Sequence, residues 1–102
     1  MQDRRGSPRK PLNAELEYEA AGVRKKARIS NVGVMGVFIE TDSQLSVGAR
    51  LKLAFRIPDG QKIEAEGVVA HRKTGEGVGV AFVSIGAEAA RRISEFIDKD
   101  AT

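Results

Sequence analysis

The residues of this sequence best equipped for chemistry stand near its N-terminus. Arg5 and Arg9 lie four apart across Gly6-Ser7-Pro8. Pro8 disfavours helix at Ser7 and Gly6 loosens the chain, so the segment is suited to wrapping a compact object. A guanidinium is planar and carries five donors in a fork. It pairs bidentately with phosphate or with the O6/N7 edge of guanine, and it also stacks on a base. Two such groups on one short arm fit a small ligand that offers both phosphates and guanines. The plain alternative is a solubilising basic tail, the commoner fate of a charged terminus. A second element, N-V-G-V-M-G, spans Asn31 to Gly36. Asn31 holds donor and acceptor on one short side chain, and Gly33 and Gly36 let backbone approach a ligand that a Cβ would push away. Taken alone, such a stretch reads as a turn or a β-bulge.

Other chemistries have little to be built from. Cysteine is absent, which removes a disulfide framework, a Cys nucleophile, a zinc ribbon and an iron–sulfur site together. His71 is the single histidine, with no carboxylate cluster beside it in sequence, and reads as an ordinary strand residue. The serines fall mostly in turn or cap contexts, so a nucleophile, base and orienter cannot be assembled from them. Glu64 and Glu66 share a strand face, but a pair of this kind is ordinarily the polar side of an amphipathic strand. An enzyme is disfavoured, and no metal or cofactor is expected.

Charge location sharpens the argument. Of 102 residues, the first ten hold Arg4, Arg5, Arg9 and Lys10 against Asp3 alone, and the remaining basic and acidic side chains balance at 13 each, so the whole net charge of +3 sits in the arm. A nucleic-acid groove would spread its cations over one face of the body. There are five aromatics, four in positions that read as core, so a stacking platform for single strands is also disfavoured. No apolar run approaches the ~20 residues that span a bilayer, and no apolar segment follows the initial charges. A cytoplasmic, soluble protein without membrane insertion is the expectation.

The elements that must position these residues follow from periodicity. Leu12, Ala14, Leu16 and Tyr18 alternate with polar neighbours, as in a strand with one wet face. A turn at Ala20-Ala21-Gly22 precedes a strand from Val23 to Ile29, with Val23, Ala27 and Ile29 inward. Val37 to Thr41 is β-branched and aromatic enough for a third strand. Leu51, Leu53, Phe55 and Ile57 face one way in the clearest strand, which ends in the turn Pro58-Asp59-Gly60. Ile63 to Arg72 and Gly77 to Val83 form a returning pair, and Gly67, Gly77 and Gly79 suggest sharp coiling. Ala89, Ile93, Phe96 and Ile97 then take helical spacing, with Ser84 or Gly86 as cap. The expected fold is a six-stranded antiparallel β-barrel closed by a C-terminal amphipathic helix: a basic arm over residues 1–11 and one domain over residues 12–102.

With this order of elements, the sequence resembles the PilZ domain, the bacterial receptor module for cyclic di-GMP. That family pairs an N-terminal R-x-x-x-R with a [D/N]-x-S-x-x-G loop, matched here by Arg5 to Arg9 and Asn31 to Gly36. The likeness extends to I-P-D-G at Ile57 to Gly60, to G-V-G-V-A-F at Gly77 to Phe82 and to the helix. By resemblance, Arg5 and Arg9 would grip phosphates and guanine Hoogsteen edges. Asn31 would bond a guanine, the backbone through Gly33 to Gly36 would seat the ligand's other face, and Arg4 would stack or add a phosphate contact. Gly33 departs from the family's Ser. The lost neutral hydrogen bond is worth about 0.5–1.5 kcal/mol, roughly two- to thirteen-fold in affinity. The resemblance implies a cyclic di-GMP receptor whose arm orders on binding and which signals to a protein partner. The alternative is a PilZ-like adaptor with weakened or lost nucleotide binding, although adaptors of that kind usually lack the arginines kept here. Nonspecific nucleic-acid binding is a third reading, disfavoured by the neutral body.

Overall fold

Alternating apolar side chains on several strands need a common interior, and closing the sheet on itself supplies one. A computed structural model describes residues 9–41, 45–58 and 60–98. It contains β1 (Arg9–Ala20), β2 (Val23–Gly33), β3 (Gly36–Glu40), β4 (Arg50–Arg56), β5 (Lys62–Lys73), β6 (Gly77–Ile85) and α1 (Ala87–Asp98). The strands form a closed barrel in the order β1-β2-β3-β6-β5-β4, all antiparallel, with β4 returning to β1 through pairs such as Leu16 with Phe55. Leu16, Tyr18, Ile29, Val32, Val37, Ile39, Leu53, Ile63 and Val69 fill the interior. The expected architecture is therefore the observed one. No helix among the described residues is long and apolar enough to cross a membrane.

The helix closes one mouth of the barrel. Ile93 is fully buried and Ile97 nearly so, while Ala89 and Phe96 pack against the core from its rim. Burying Ile93 alone contributes about 1.5–3 kcal/mol. Gly86 begins the helix, its carbonyl accepting the Ala90 N–H at 2.9 Å. In the first turn Glu88 accepts hydrogen bonds from Arg91 at 2.7 Å, which hold its carboxyl below the usual carboxylate range.

Two boundaries and one burial assignment differ from the periodicity reading. β1 begins at Arg9, so Arg9, Lys10 and Pro11, assigned above to the arm, pair with Gly33, Val32 and Asn31. The stretch from Asn31 to Gly36 is mostly strand: β2 continues through Gly33, and only Val34-Met35 turns before β3 starts. Val23, expected inward, is 54% exposed, because the β1–β2 hairpin tip, with Ala21 and Gly22 at positive φ, carries side chains that are exposed through Lys26. The turn after β4 matches expectation, with the Gly60 N–H donating to the Ile57 carbonyl at 2.8 Å and φ of 89° at Gly60; Asp59 lies outside the described residues.

One core residue carries a cost. Tyr18 is 2% exposed and its hydroxyl finds no hydrogen-bond partner among the described residues. An unpaired buried hydroxyl costs about 1–3 kcal/mol, which the ring's burial must offset. Tyr18→Phe keeps the ring and deletes the hydroxyl. Chemical denaturation should therefore show stability unchanged or raised by up to about 2 kcal/mol. A clear loss of stability would mean that the hydroxyl is paired in solution.

Candidate ligand-binding site

Strict alternation along β2 would send Ile29 and Asn31 to the same side. Ile29 and Val32 are instead both fully buried, and Ser30 and Asn31 sit together on the outside, where the register against β3 shifts between Ile29 and Asn31. This is a β-bulge, a device that re-aims a side chain. A second one occurs on β5. Val69 is buried, Ala70 and His71 are both exposed, and the register against β6 shifts between Val69 and His71.

The two bulges bring distant residues into one row on the outer wall. Asn31 pairs with Phe38, Phe38 with Gly79, and Gly79 with His71, so the row crosses β2, β3, β6 and β5. A Cβ on Gly79 would collide with the imidazole of His71, so glycine there lets that ring lie across β6. The rings of His71 and Phe38 are 6.2 Å apart between centroids and inclined at 32°. A neighbouring row runs from Arg9 through Gly33 and Gly36 to Ala81. Gly36 and Ala81 of this row, with Gly79 and Ala70, make a floor, and Arg9, Asn31, Phe38 and His71 stand around it. The resulting open hollow has a volume of about 390 Å³, within the range of small-molecule sites.

Arg9 and Asn31 define its polar edge. The Arg9 Nε–H donates to Asn31 Oδ1 at 2.6 Å across 22 residues of sequence. The Asn31 amide nitrogen lies 3.5 Å from the Ser30 hydroxyl. With Nε committed to Asn31, the terminal NH2 groups of the guanidinium carry its remaining donors, a fork suited to phosphate or a purine edge. Desolvation against the wall lowers the pKa of Arg9, and a guanidinium stays cationic at neutral pH regardless.

Four of the six residues singled out in the sequence are thus together: Arg9, Asn31, Gly33 and Gly36. Arg4 and Arg5 lie outside the described residues. Gly36 has a structural duty beside any ligand contact, because a Cβ there would meet the Val80 carbonyl of β6. Phe38 and His71 were missed. The signal that pointed to them was Gly79, a glycine inside a strand, which marks a close approach. A larger hollow of about 640 Å³ surrounds the β5–β6 turn, but its wall mixes Lys26, Arg72 and Lys73 with Glu40 and Glu76, Lys73 lying 3.6 Å from the Glu76 carboxylate, and has no aromatic side chain. It offers an anion no clear preference.

The model of the PilZ domain family matches residues 3–99. Among solved structures, the chain is similar to the Bacillus subtilis inhibitor of motility MotI, with a TM-score of 0.84 at 18% identity, covering 98% of this chain and 52% of that one. It is also similar to the K. pneumonia MrkH complex with cyclic di-GMP, with a TM-score of 0.75 at 19% identity, covering 96% and 52% of the two chains. The PilZ domain of Escherichia coli YcgR with cyclic di-GMP gives a TM-score of 0.70 at 13% identity, covering 95% and 91%. The chain therefore spans about half the length of MotI and MrkH. Among curated protein sequences none matches it significantly. At these identities the solved structures speak for the fold, whereas the family model covers nearly the whole sequence, and on that ground the chain belongs to the PilZ domain family.

Proposed function

We propose that this protein is a receptor for cyclic di-GMP, acting in the cytoplasm without catalysis, and that it binds the nucleotide on the outer wall described above. The observation that carries the reading is the Arg9–Asn31 hydrogen bond beside a small-residue floor with two aromatic walls. A cyclic dinucleotide presents two phosphates and two purine faces in a compact ring. The guanidinium fork meets the first and the rings of Phe38 and His71 meet the second. Two relatives similar in fold, MrkH and the YcgR domain, are described with cyclic di-GMP, which supports the same ligand here.

In this reading Arg4 and Arg5 come onto the ligand from the N-terminal side and hold the arm against it. Binding then changes the surface offered to a protein partner. Gly33 lies opposite Arg9 and two residues from Asn31 in an extended strand, and it is not among the glycines with positive φ.

The receptor reading is tested by titration calorimetry. Arg5→Ala and Arg9→Ala should each weaken cyclic di-GMP binding by about 1.5–3 kcal/mol, roughly ten- to 150-fold, because a charge-assisted bond has no neutral replacement. Both variants should melt like the parent. Parent-like binding in both would remove the site from the wall, and a parent that does not bind would leave the adaptor alternative standing. Gly33→Ser should fold normally, since the backbone there is extended, and tighten binding by up to about 1.5 kcal/mol through the restored hydroxyl. A serine variant with unchanged melting and weakened binding would contradict the proposed ligand position.

A further inference from the structure

Successive residues of a strand point to opposite sides, and at the start of β1 both sides are occupied. Arg9 faces the outer wall and Asn31. Lys10 pairs with Val32, an interior residue, and its side chain runs to the mouth of the barrel that α1 covers. Its Nζ lies 4.0 Å from the centroid of the Phe96 ring and donates to the Phe96 carbonyl at 2.9 Å, a partly buried contact across 86 residues. That carbonyl belongs to the last helical turn, where intrahelical donors run out and the helix dipole is negative. The last turn of α1 has no basic residue of its own, while Glu95 and Asp98 stand in or beside it. Among the described residues Lys10 thus supplies a cation to this helix end from the start of β1. It does so twice, as a donor to a last-turn carbonyl and as a cation over an aromatic face.

We propose that Lys10 is a positioning residue that ties ligand engagement at Arg9 to the seating of the last turn of α1. This coupling rests on the receptor reading. Arg9 and Lys10 share a peptide bond, so holding the guanidinium on a ligand from outside also holds the Lys10 backbone from which the ammonium reaches the helix. Phe96 is half-buried and Ile97 is 9% exposed, both on the turn that Lys10 pins. Occupancy at the wall therefore sets how firmly Ile97 is seated in the core and how firmly the rim of the barrel mouth presents Phe96 to a partner. Coupling is reciprocal, so an intact latch also tightens ligand binding, although the Lys10 side chain is not part of the wall.

The test is amide hydrogen exchange at residues 94–98 of the full chain, with and without saturating cyclic di-GMP, in the parent, Lys10→Met and Lys10→Arg. Methionine keeps an apolar stem of similar length and removes the charge and the donors. In the parent, ligand should slow exchange at these amides at least threefold. In Lys10→Met, ligand should still bind, two- to tenfold more weakly, and the slowing should disappear; Lys10→Arg should restore both. Retained slowing in Lys10→Met, or none in a parent shown by calorimetry to be saturated, overturns the coupling. Should Lys10→Met fail to fold, Phe96→Leu, which removes the ring and keeps the carbonyl, must reduce the slowing, and full slowing there overturns the coupling. If the parent does not bind cyclic di-GMP, it is the receptor reading that fails. The coupling is then decided without ligand, since Arg9→Ala should speed exchange at the same amides at least twofold, and unchanged exchange overturns it.

Discussion

Ile29 and Val32 are both fully buried although they stand three apart on one strand. A regular strand would send one of them outward, at a cost of about 1.5–3 kcal/mol in lost burial. Holding Ser30 and Asn31 side by side on the outside satisfies both, for the loss of one regular ladder position. The candidate site depends on this concession to the core. Without it Asn31 would turn its amide into the barrel, Val32 would face solvent, and the Arg9 guanidinium would lose its 2.6 Å acceptor. The bulge at Ala70 does the same for His71 on β5. On β2 the interior needs this change of phase to bury Val32, whereas on β5 the residues after the bulge, Arg72 and Lys73, are exposed and its consequence is the outward turn of His71.

The same strand geometry connects the wall to the mouth. β1 pairs with β4 only from Leu16 to Glu19, and its first residues are held by β2 alone, Arg9 opposite Gly33 and Lys10 opposite Val32. Arg9 and Lys10 extend that anchoring outward and inward, one to Asn31 and the other to the end of α1. The wall itself is built from β2, β3, β6 and β5 with Arg9 of β1 at its edge. Side chains preorganised on strands keep the entropy cost of binding low.

The strands carrying one wet face were legible because their alternation is unbroken: Leu51, Leu53 and Phe55 are buried and Arg50, Lys52 and Arg56 exposed, as periodicity requires. The helix stripe was legible for the same reason, with Ile93 and Ile97 inward. Legibility failed where phase changes. A single-residue bulge reverses the sidedness of everything after it, and no window of alternating residues announces one. His71 therefore read as an ordinary strand residue, and Asn31 to Gly36 as a turn or a β-bulge with nothing to choose between them. Phe38, the aromatic that lies outside the core cluster, could be placed on the wall only once Val37 and Ile39 were known to be fully buried. Val23 was misjudged because an apolar residue at a hairpin tip has the right period and no core beneath it. Arg9, Asn31, Gly33 and Gly36 were legible as a set through resemblance, and their proximity is what the structure adds.

In the proposed receptor the ligand lies on the wall crossed by β2, β3, β6 and β5. Two-dimensional nuclear magnetic resonance of the parent protein during titration with cyclic di-GMP tests it most directly, following backbone amides together with the Asn31 side-chain amide, the Arg9 Nε–H and the His71 ring. Binding at the wall should give saturable shifts concentrated on Arg9, Asn31, Gly36, Phe38, His71 and Gly79, with Glu17, Ala54 and Lys62 on the β1–β4–β5 face unmoved. Shifts concentrated on that opposite face, or none at saturating nucleotide, would contradict it.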